Sequence, residues 1–275
     1  MPAAACFRMK TPDLNKLVGR FTEPAVQAIV LMGSFARGDA GHFSDVDLVR
    51  FLAPDAPEDT EARSFIIDDR LVVVSNVLRY QVEGWFTNPV SATECIAGIR
   101  TAKPLWDPED LFSPIQRRAH AFVWDTDMQS KANAFAGEKM VGWVEEVYKG
   151  LEGLRRNDIG RMLNARFGLS FGIVKVVRVY LGILIDGDNT FYTQILERLG
   201  NDSEWARLCR VAFAIEPREG APLPLTEQVL AGLRLYVLTA DLIGNDAGVG
   251  HRSIIDRTVA VITDEIEKPR PHEHT

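Results

Sequence analysis

The chain has 275 residues, which is enough for one large domain or two domains of ordinary size. Its formal net charge of -7 and its isoelectric point near 5.4 argue against a general nucleic-acid-binding protein, because such proteins are usually basic. Its three cysteines are odd in number and far apart, which indicates reduced thiols in a cytoplasmic protein rather than a disulfide framework or a zinc site.

Short strands and helices alternate over roughly the first hundred residues. The pattern predicts helices over 13–21 and 77–86, and strands over 26–32, 46–52, 64–67, 71–75 and 102–106. The pair Asp68-Asp69 predicts a tight turn between the third and fourth strands. This half of the chain is therefore predicted to contain a mixed sheet flanked by helices.

Beyond residue 110, apolar residues recur at three- and four-residue spacing, which is typical of helices. Such segments lie near 128–156, 158–185, 191–199, 202–215, 225–244 and 252–267. The longest apolar stretch, residues 168–185, contains Lys175 and Arg178, which favours a buried helix over a membrane span. We therefore predict an α+β fold with one domain over 1–112, a helical bundle over 113–268 and a disordered tail over 269–275.

The segment from Gly33 to Leu48 contains the most informative pattern, because a strand, a glycine-containing turn and a second strand follow one another there. A helix that begins at Gly33-Ser34 presents free backbone N–H groups, which suit a phosphate. Glycine permits close approach of a ligand to the backbone, and Arg37 lies one turn later with a charge opposite to that of phosphate. This end of the segment predicts a phosphate-binding site.

Two carboxylates stand at the other end of the same segment. Asp45 and Asp47 are two residues apart at the start of a strand, so their side chains are expected on one face. Adjacent carboxylates repel each other unless a cation lies between them. Magnesium prefers oxygen ligands and commonly shares them with substrate phosphates. We therefore predict Asp45 and Asp47 as Mg²⁺ ligands beside a bound nucleotide.

The run Gly-Ser-x-Ala-Arg-Gly-Asp from Gly33 and the run Ser-Asp-x-Asp from Ser44 resemble the nucleotidyltransferase superfamily related to DNA polymerase β. The likeness is closest to the bacterial antibiotic nucleotidyltransferases, the kanamycin and other aminoglycoside enzymes first and the lincosamide enzymes next. The resemblance implies that 1–112 is a catalytic domain whose Gly33, Ser34, Arg37 and Ser44 bind an NTP, most simply ATP.

The same resemblance implies a reaction and partners. An NMP would pass to a hydroxyl of a small molecule, with an aminoglycoside-type antibiotic as the expected acceptor, and pyrophosphate would be released. A homodimer is expected, and neither nucleic acid nor a membrane is expected as a partner. A lincosamide acceptor is the first alternative. A protein-AMPylating toxin–antitoxin component is another, but such catalytic units are usually much smaller than this chain.

The general base is not unique in the sequence. Many members of the family have a third carboxylate on a later strand, whereas residues 71–76 contain none. This difference favours a further alternative, a catalytically inactive nucleotide-binding or regulatory homologue. The segment 144–149 resembles the base and lysine of kanamycin-type enzymes, which implies Glu145 as the base and Lys149 as a phosphate contact. Glu83, in a lincosamide-like position, and Glu146 are the other candidates.

Overall fold

The computed structural model describes residues 12–56, 63–215 and 222–267. Two compact units divide the chain: Met1–Val123 with Ile185–Gly187, and Trp124–Leu184 with Asp188–Thr275. The tail predicted over 269–275 lies outside the described residues. None of the helices in the described ranges has the length and hydropathy that a membrane span needs.

The first unit is built on a mixed five-stranded sheet, as far as the described residues show. Its strands are β1 (Val26–Met32), β2 (Val46–Leu52), β3 (Arg63–Ile67), β4 (Arg70–Leu78) and β5 (Lys103–Trp106). The strand order is β3-β4-β2-β1-β5, with β2 and β4 parallel and the other neighbours antiparallel. The predicted turn at Asp68-Asp69 is confirmed, since both residues have positive φ and β3 pairs with β4 around them.

Helices flank this sheet. They are α1 (Leu14–Phe21), α2 (Gly33–Arg37), α3 (Arg79–Thr87), α4 (Pro89–Thr101) and α5 (Phe112–His120). Apolar side chains of β1, β2 and β4 form the core of the unit, with Ile29, Val46 and Leu48 almost fully buried. The α+β fold class predicted from the sequence is confirmed.

The second unit is helical in its described residues. Its helices are α6 (Thr126–Gly142), α7 (Val144–Arg156), α8 (Ile159–Phe167), α9 (Ile173–Tyr180), α10 (Phe191–Leu199), α11 (Glu204–Ala212), α12 (Leu225–Ile243) and α13 (Val249–Glu267). A π-helical turn over Gly168–Gly172 joins α8 to α9, and a 3₁₀ turn over Gly244–Ala247 precedes α13. The core contains Met140, Val147, Leu233 and Tyr236, and the Tyr236 hydroxyl donates to the Met140 carbonyl oxygen at 3.1 Å.

Two predicted helical segments differ from the structure, and two helices were not predicted. The segment near 128–156 is two helices, because α6 ends and α7 begins at Trp143. The segment near 158–185 is interrupted by the π-helical turn and its last helix ends at Tyr180. Helices α4 and α5 were not predicted; Asn88 caps the start of α4, and its side chain accepts from the Val90 and Ser91 N–H groups.

Candidate active site

The site predicted from Gly33 to Leu48 begins where β1 ends and α2 starts. Met32 has extended backbone angles, whereas Gly33 has φ +65°, a conformation that side chains with Cβ rarely adopt. One turn later the helix ends at Gly38, whose N–H donates to the Ser34 carbonyl oxygen at 2.8 Å. Ser34 therefore lies in the first turn of a short helix that directly follows the central part of the sheet.

Asp47 lies against this first turn. It pairs with Met32 across the antiparallel β1–β2 ladder, so its side chain is beside Gly33. A Cβ added to Gly33 would lie 2.0 Å from Asp47 Oδ2, which is far inside van der Waals contact. Only glycine leaves room for the carboxylate at this point. The structure thus brings together Gly33 and Asp47, which the sequence had placed in one site.

Asp45 and Asp47 flank the buried residue Val46 at the start of β2. Val46 and Leu48 face the core, and the partly exposed Asp47 alternates with them. In the parallel β2–β4 ladder Asp47 is level with Val73, and Ser75 follows two residues later on β4. Neither residue is acidic, so β4 does not supply a third carboxylate beside the pair.

The carboxylates of Asp45 and Asp47 limit the kind of metal ion that this site could bind. Across the described residues there is no group of three or more His, Cys, Asp and Glu side chains that could hold a metal ion. A Cβ at Gly33 would fall on the Asp47 carboxylate, and Asp45 stands two residues before Asp47 in the chain. Oxygen donors of this kind suit an ion that takes its other ligands from water and phosphate. Asp45 and Asp47 would therefore hold a divalent ion only together with ligands from water or a bound phosphate.

Arg37 is held by two hydrogen bonds in the first unit. Its Nε donates to Asp39 Oδ2 at 3.1 Å, and its Nη1 donates to the Asp186 carbonyl oxygen at 2.8 Å. Ile185 next to this residue donates its N–H to the Thr93 carbonyl oxygen, which fixes the segment against α4. The sequence predicted Arg37 but not its partner Asp186, which is 149 positions away in the chain.

Ser44 fixes the loop before Asp45 with both its side chain and its backbone. Its Oγ accepts from the Gly41 N–H at 2.8 Å. Its carbonyl oxygen accepts from Arg70 Nη1 at 2.9 Å, and the Arg70 guanidinium carbon lies 5.1 Å from the centroid of the Phe35 ring on α2. Arg70 therefore connects α2 to the loop that leads into Asp45 and Asp47. This role was not predicted from the sequence.

Replacing Arg70 with alanine is expected to lower kcat/KM for the nucleotide about tenfold or more, because misplacement of site groups by about 1 Å is costly. Arg70→Lys should restore little, since lysine lacks the planar group that both contacts use. Steady-state kinetics would measure the change, with the exposed Arg63→Ala on β3 as the control. Equal kinetics in the Arg70 and Arg63 variants would contradict this role.

The Glu83 carboxylate on α3 forms an ion pair with Arg118. Its two carboxylate oxygens accept from Arg118 Nη1 and Nη2 at 2.7 and 2.8 Å, and the Arg118 guanidinium carbon lies 4.1 Å from the Phe86 ring centroid. The hydrogen bond from Arg118 lowers the pKa of Glu83. Because both of its carboxylate oxygens accept from Arg118, Glu83 has no unengaged oxygen with which to take a proton, and this geometry disfavours it as the general base.

The other base candidates lie on α7 in the second unit. Lys149 Nζ is 2.8 Å from carboxylate oxygens of both Glu145 and Glu146, and its pKa is raised by these hydrogen bonds. The Glu145 side chain is 76% exposed, and the hydrogen bond from Lys149 lowers its pKa. The Glu146 side chain is only 17% exposed, and its buried Oε2 has no hydrogen-bond partner among the described residues.

A cavity of about 550 Å³ lies beside Glu145 and Lys149 within the second unit. Apart from these two residues, it is lined by Tyr148, Leu151, Glu152, Arg155, Arg161, Val261 and Glu265. Glu152 is paired with Arg155 and Arg156, which lowers its pKa to about 2. The cavity therefore combines three carboxylates with apolar surface and with basic groups that are already engaged.

Comparison with known proteins bears on the first unit. Residues 14–104 match the family model of a nucleotidyltransferase domain, and this range contains Gly33, Ser34, Asp45 and Asp47. No curated protein shows significant similarity to the chain. Among solved structures, a nucleotidyltransferase-like protein from Exiguobacterium sibiricum is 11% identical with a TM-score of 0.46, and the match covers 94% of this chain and 80% of that chain.

Proposed function

We propose that this chain is an Mg²⁺-dependent transferase that moves an NMP, most simply AMP from ATP, to a hydroxyl of a small molecule and releases pyrophosphate. The supporting observation is the contact of Asp47 with the backbone at Gly33, inside the segment that matches a nucleotidyltransferase domain. That contact joins a carboxylate to a turn suited to phosphate, and this combination is what nucleotide chemistry needs.

The residues of the first unit would act on the nucleotide. The Gly33 and Ser34 backbone, the Ser34 hydroxyl and Arg37 bind the phosphates, and Ser44 orients the loop before Asp45. Asp45 and Asp47 would hold Mg²⁺, which supplies neutralisation of the charge that develops on phosphate oxygens. The acceptor oxygen forms a bond to the α-phosphorus while the bond from that phosphorus to the pyrophosphate oxygen breaks.

The acceptor proton needs a base, and Glu145 is the proposed one. Its carboxylate is exposed and borders the cavity, whereas Glu83 is held by Arg118 and the second oxygen of Glu146 is sealed from solvent. Lys149, paired with Glu145, would support a phosphate oxygen. The proton lost by the acceptor hydroxyl passes to a Glu145 oxygen.

Glu145→Gln is expected to lower kcat by about a hundredfold or more, because general base catalysis typically contributes that much. Since Lys149 lowers the pKa of Glu145, the base stays deprotonated as the pH falls and activity should be lost only below the usual range near 4.5. A pH–rate profile of the wild type and of Lys149→Gln would measure this, and the acid limb should move upward in the variant.

The exposed Glu138→Gln on α6 is the matched control, because Glu138 pairs with its neighbour Lys139 and does not border the cavity. An acid limb near pH 6 in the wild type, or equal kcat in the Glu145 and Glu138 variants, would contradict Glu145 as the base. In each variant, formation of the transfer product is the quantity measured.

The acceptor proposed is a polyamine-bearing antibiotic of the aminoglycoside type. The support is the resemblance of the segment from Gly33 to Asp47 to the antibiotic nucleotidyltransferases. The cavity lining contains as many basic residues (Lys149, Arg155 and Arg161) as carboxylates (Glu145, Glu152 and Glu265), so it does not favour a cation by charge. Mass spectrometry of aminoglycosides and lincosamides incubated with each NTP would identify the product by the added NMP. Mass added only to lincosamides would favour the alternative acceptor. A homodimer and a cytoplasmic location are proposed with this function.

A catalytically inactive nucleotide-binding protein is the second candidate. The observation that favours it is the absence of an acidic side chain at Val73 and Ser75, the β4 positions beside Asp47. Calorimetry with a non-hydrolysable ATP analogue, with and without Mg²⁺, distinguishes the two. Binding of the analogue without transfer to any acceptor would favour the inactive homologue over the enzyme.

A further inference from the structure

Arg37 on α2 has more hydrogen-bond donors than its contacts use. A guanidinium carries five N–H groups. Within the described part of the chain two of them are engaged, since Nε donates to Asp39 Oδ2 and Nη1 donates to the Asp186 carbonyl oxygen. The side chain is only 17% exposed, so its surroundings restrict its motion. Three donors of a restrained guanidinium are therefore available to a ligand.

Asp39 is held by the short helix that precedes it. Its backbone N–H donates to the Ser34 carbonyl oxygen at 3.1 Å, and the Gly38 N–H donates to the same oxygen. The Asp39 side chain is 57% exposed, and an ion pair at such a position contributes little to the free energy of unfolding. The contact between Asp39 and Arg37 therefore sets the direction of the guanidinium more than it stabilises the fold.

The Asp186 carbonyl oxygen is held in place by the residues around it. Residues 185–187 belong to the first compact unit, although they are far from the rest of that unit in the sequence. Ile185 is 3% exposed, and its N–H donates to the Thr93 carbonyl oxygen at 3.0 Å. Thr93 is buried on α4, which contacts both α2 and β1. The carbonyl that Arg37 uses is therefore anchored to the elements that form the predicted phosphate-binding turn.

Gly187 brings the backbone of the same segment alongside the guanidinium. A Cβ at Gly187 would lie 3.4 Å from Arg37 Nη1 and 3.9 Å from Arg37 Cζ, which is van der Waals contact. Residues 185–187 lie outside the range 14–104 that matches the nucleotidyltransferase domain. Part of the support for Arg37 therefore comes from a segment that the family model does not contain.

Restraint of Arg37 before binding favours phosphate for an entropic reason. A long side chain that becomes ordered only when the ligand binds loses rotamer freedom at that step, which weakens binding. Hydrogen bonds from a guanidinium to phosphate also depend on the direction of the planar group. Asp39 has an opposing effect, since its negative charge repels phosphate. The direction in which the affinity changes when Asp39 is altered therefore shows which effect is larger.

We propose that Asp39 and the segment 185–187 are positioning residues for the nucleotide. They hold the Arg37 guanidinium so that its three remaining N–H donors meet phosphate oxygens. This inference rests on the proposed binding of an NTP at α2. Asp39 and Asp186 contact Arg37 through acceptor oxygens, which repel phosphate rather than bind it. Their favourable effect on the nucleotide therefore passes entirely through Arg37.

Calorimetry with a non-hydrolysable ATP analogue and Mg²⁺ tests the role of Asp39. Asp39→Ala should raise the Kd about three- to tenfold, the size expected when one long side chain must be ordered on binding. Asp39→Asn should bind within about twofold of the wild type, because its amide oxygen still accepts from Arg37 Nε. Glu109→Ala, at an exposed position of the first unit, is the control and should bind as the wild type does. Tighter binding by both Asp39 variants would show an effect of charge alone and would overturn the proposal.

Ile185→Ala tests the segment 185–187 in the same assay. Loss of the buried side chain loosens the segment, so the Asp186 carbonyl restrains Arg37 less and the Kd should rise about three- to tenfold. Ile67→Ala is the matched control, because Ile67 is buried in the core of the same unit but lies on β3. It should lower the melting temperature and leave the Kd unchanged. Equal Kd values in the two variants would overturn the role of the segment.

A double-mutant cycle distinguishes positioning from an independent structural role. In an Arg37→Ala background, Asp39→Ala and Ile185→Ala should not raise the Kd further, because neither residue can act through a guanidinium that has been removed. Independent roles would instead give increases that add to the effect of Arg37→Ala. Additive increases in Kd would therefore overturn the proposal.

The same titrations separate this inference from the proposed function. A wild type that does not bind the analogue would overturn both. Binding that Arg37→Ala weakens, but that Asp39→Ala and Ile185→Ala leave unchanged, would overturn the positioning role alone. An Arg37→Ala variant with a lower melting temperature and an unchanged Kd would make Arg37 a structural residue, which would also overturn the positioning role.

Discussion

Replacing Gly33 with alanine is expected to abolish nucleotide transfer, with a loss in kcat/KM of about a thousandfold. The added Cβ would lie 2.0 Å from Asp47 Oδ2, so the carboxylate or the turn must move. Alanine at φ +65° also strains the backbone, which costs about 1 kcal/mol or somewhat more. The collision and the backbone strain both act at the contact between the Gly33 turn and the Asp47 carboxylate.

Gly38→Ala separates these two effects. Gly38 has φ +88° at the end of the same short helix, but a Cβ there would meet nothing within 4 Å. The control therefore carries comparable backbone strain without the collision with Asp47. We expect the melting temperature to fall in both variants, more in Gly33→Ala because of the added collision, and a large loss of activity in Gly33→Ala alone. Equal activities of the two variants would show that the Gly33–Asp47 contact is not needed for the reaction.

Asp47→Asn is the second substitution with a large expected effect. It preserves the shape of the side chain but removes the negative charge that a divalent cation requires, so transfer should fall at least about a thousandfold. The melting temperature should change little, since Asp47 lies on the partly exposed face of β2 and asparagine fills the same space. Transfer would be followed by product formation across a range of Mg²⁺ concentrations.

Asp69→Asn is the matched control for the loss of one carboxylate. Asp69 is exposed in the turn between β3 and β4 with φ +61°, a conformation that asparagine tolerates well. This variant should keep wild-type activity and the wild-type dependence on Mg²⁺. Activity in Asp47→Asn close to that of Asp69→Asn would remove Asp47 from the metal site.

The strands around the site could be predicted closely from the sequence. β1 and β2 occupy the predicted ranges 26–32 and 46–52, because each combines a short apolar run with clear turn residues at its end. The contact of Gly33 with Asp47 then follows from the antiparallel pairing of these two neighbouring strands. Local pattern and short-range topology were sufficient for this part of the site.

Other parts depend on contacts that no local pattern reports. Arg70 reaches Ser44 because β4 runs parallel to β2 in a particular register, and Arg37 meets Asp186 across 149 positions. α4 was missed although Asn88-Pro89 is a helix-start signal, because its apolar residues do not form a clear one-sided stripe. The break at Trp143 combines a local signal, Gly142 at the end of α6, with packing of the Trp143 ring against Gly172.

The structure also sharpened the comparison of the base candidates. Three glutamates were equivalent as residue types, and their surroundings distinguish them: Glu83 is held by Arg118, Glu146 is largely buried, and Glu145 borders the cavity. Such differences arise from side chains on other elements or on the next helical turn. They are therefore properties of the folded chain that composition and spacing do not contain.

The most direct test of the proposed function is transfer of label from [α-³²P]NTPs to a panel of aminoglycosides and lincosamides in the presence of Mg²⁺. The wild-type protein should form a labelled acceptor and release an equal amount of unlabelled pyrophosphate, and Asp47→Asn should form neither while Asp69→Asn forms both. Absence of a labelled product from every NTP and acceptor, or an undiminished product in Asp47→Asn, would contradict nucleotidyl transfer at this site.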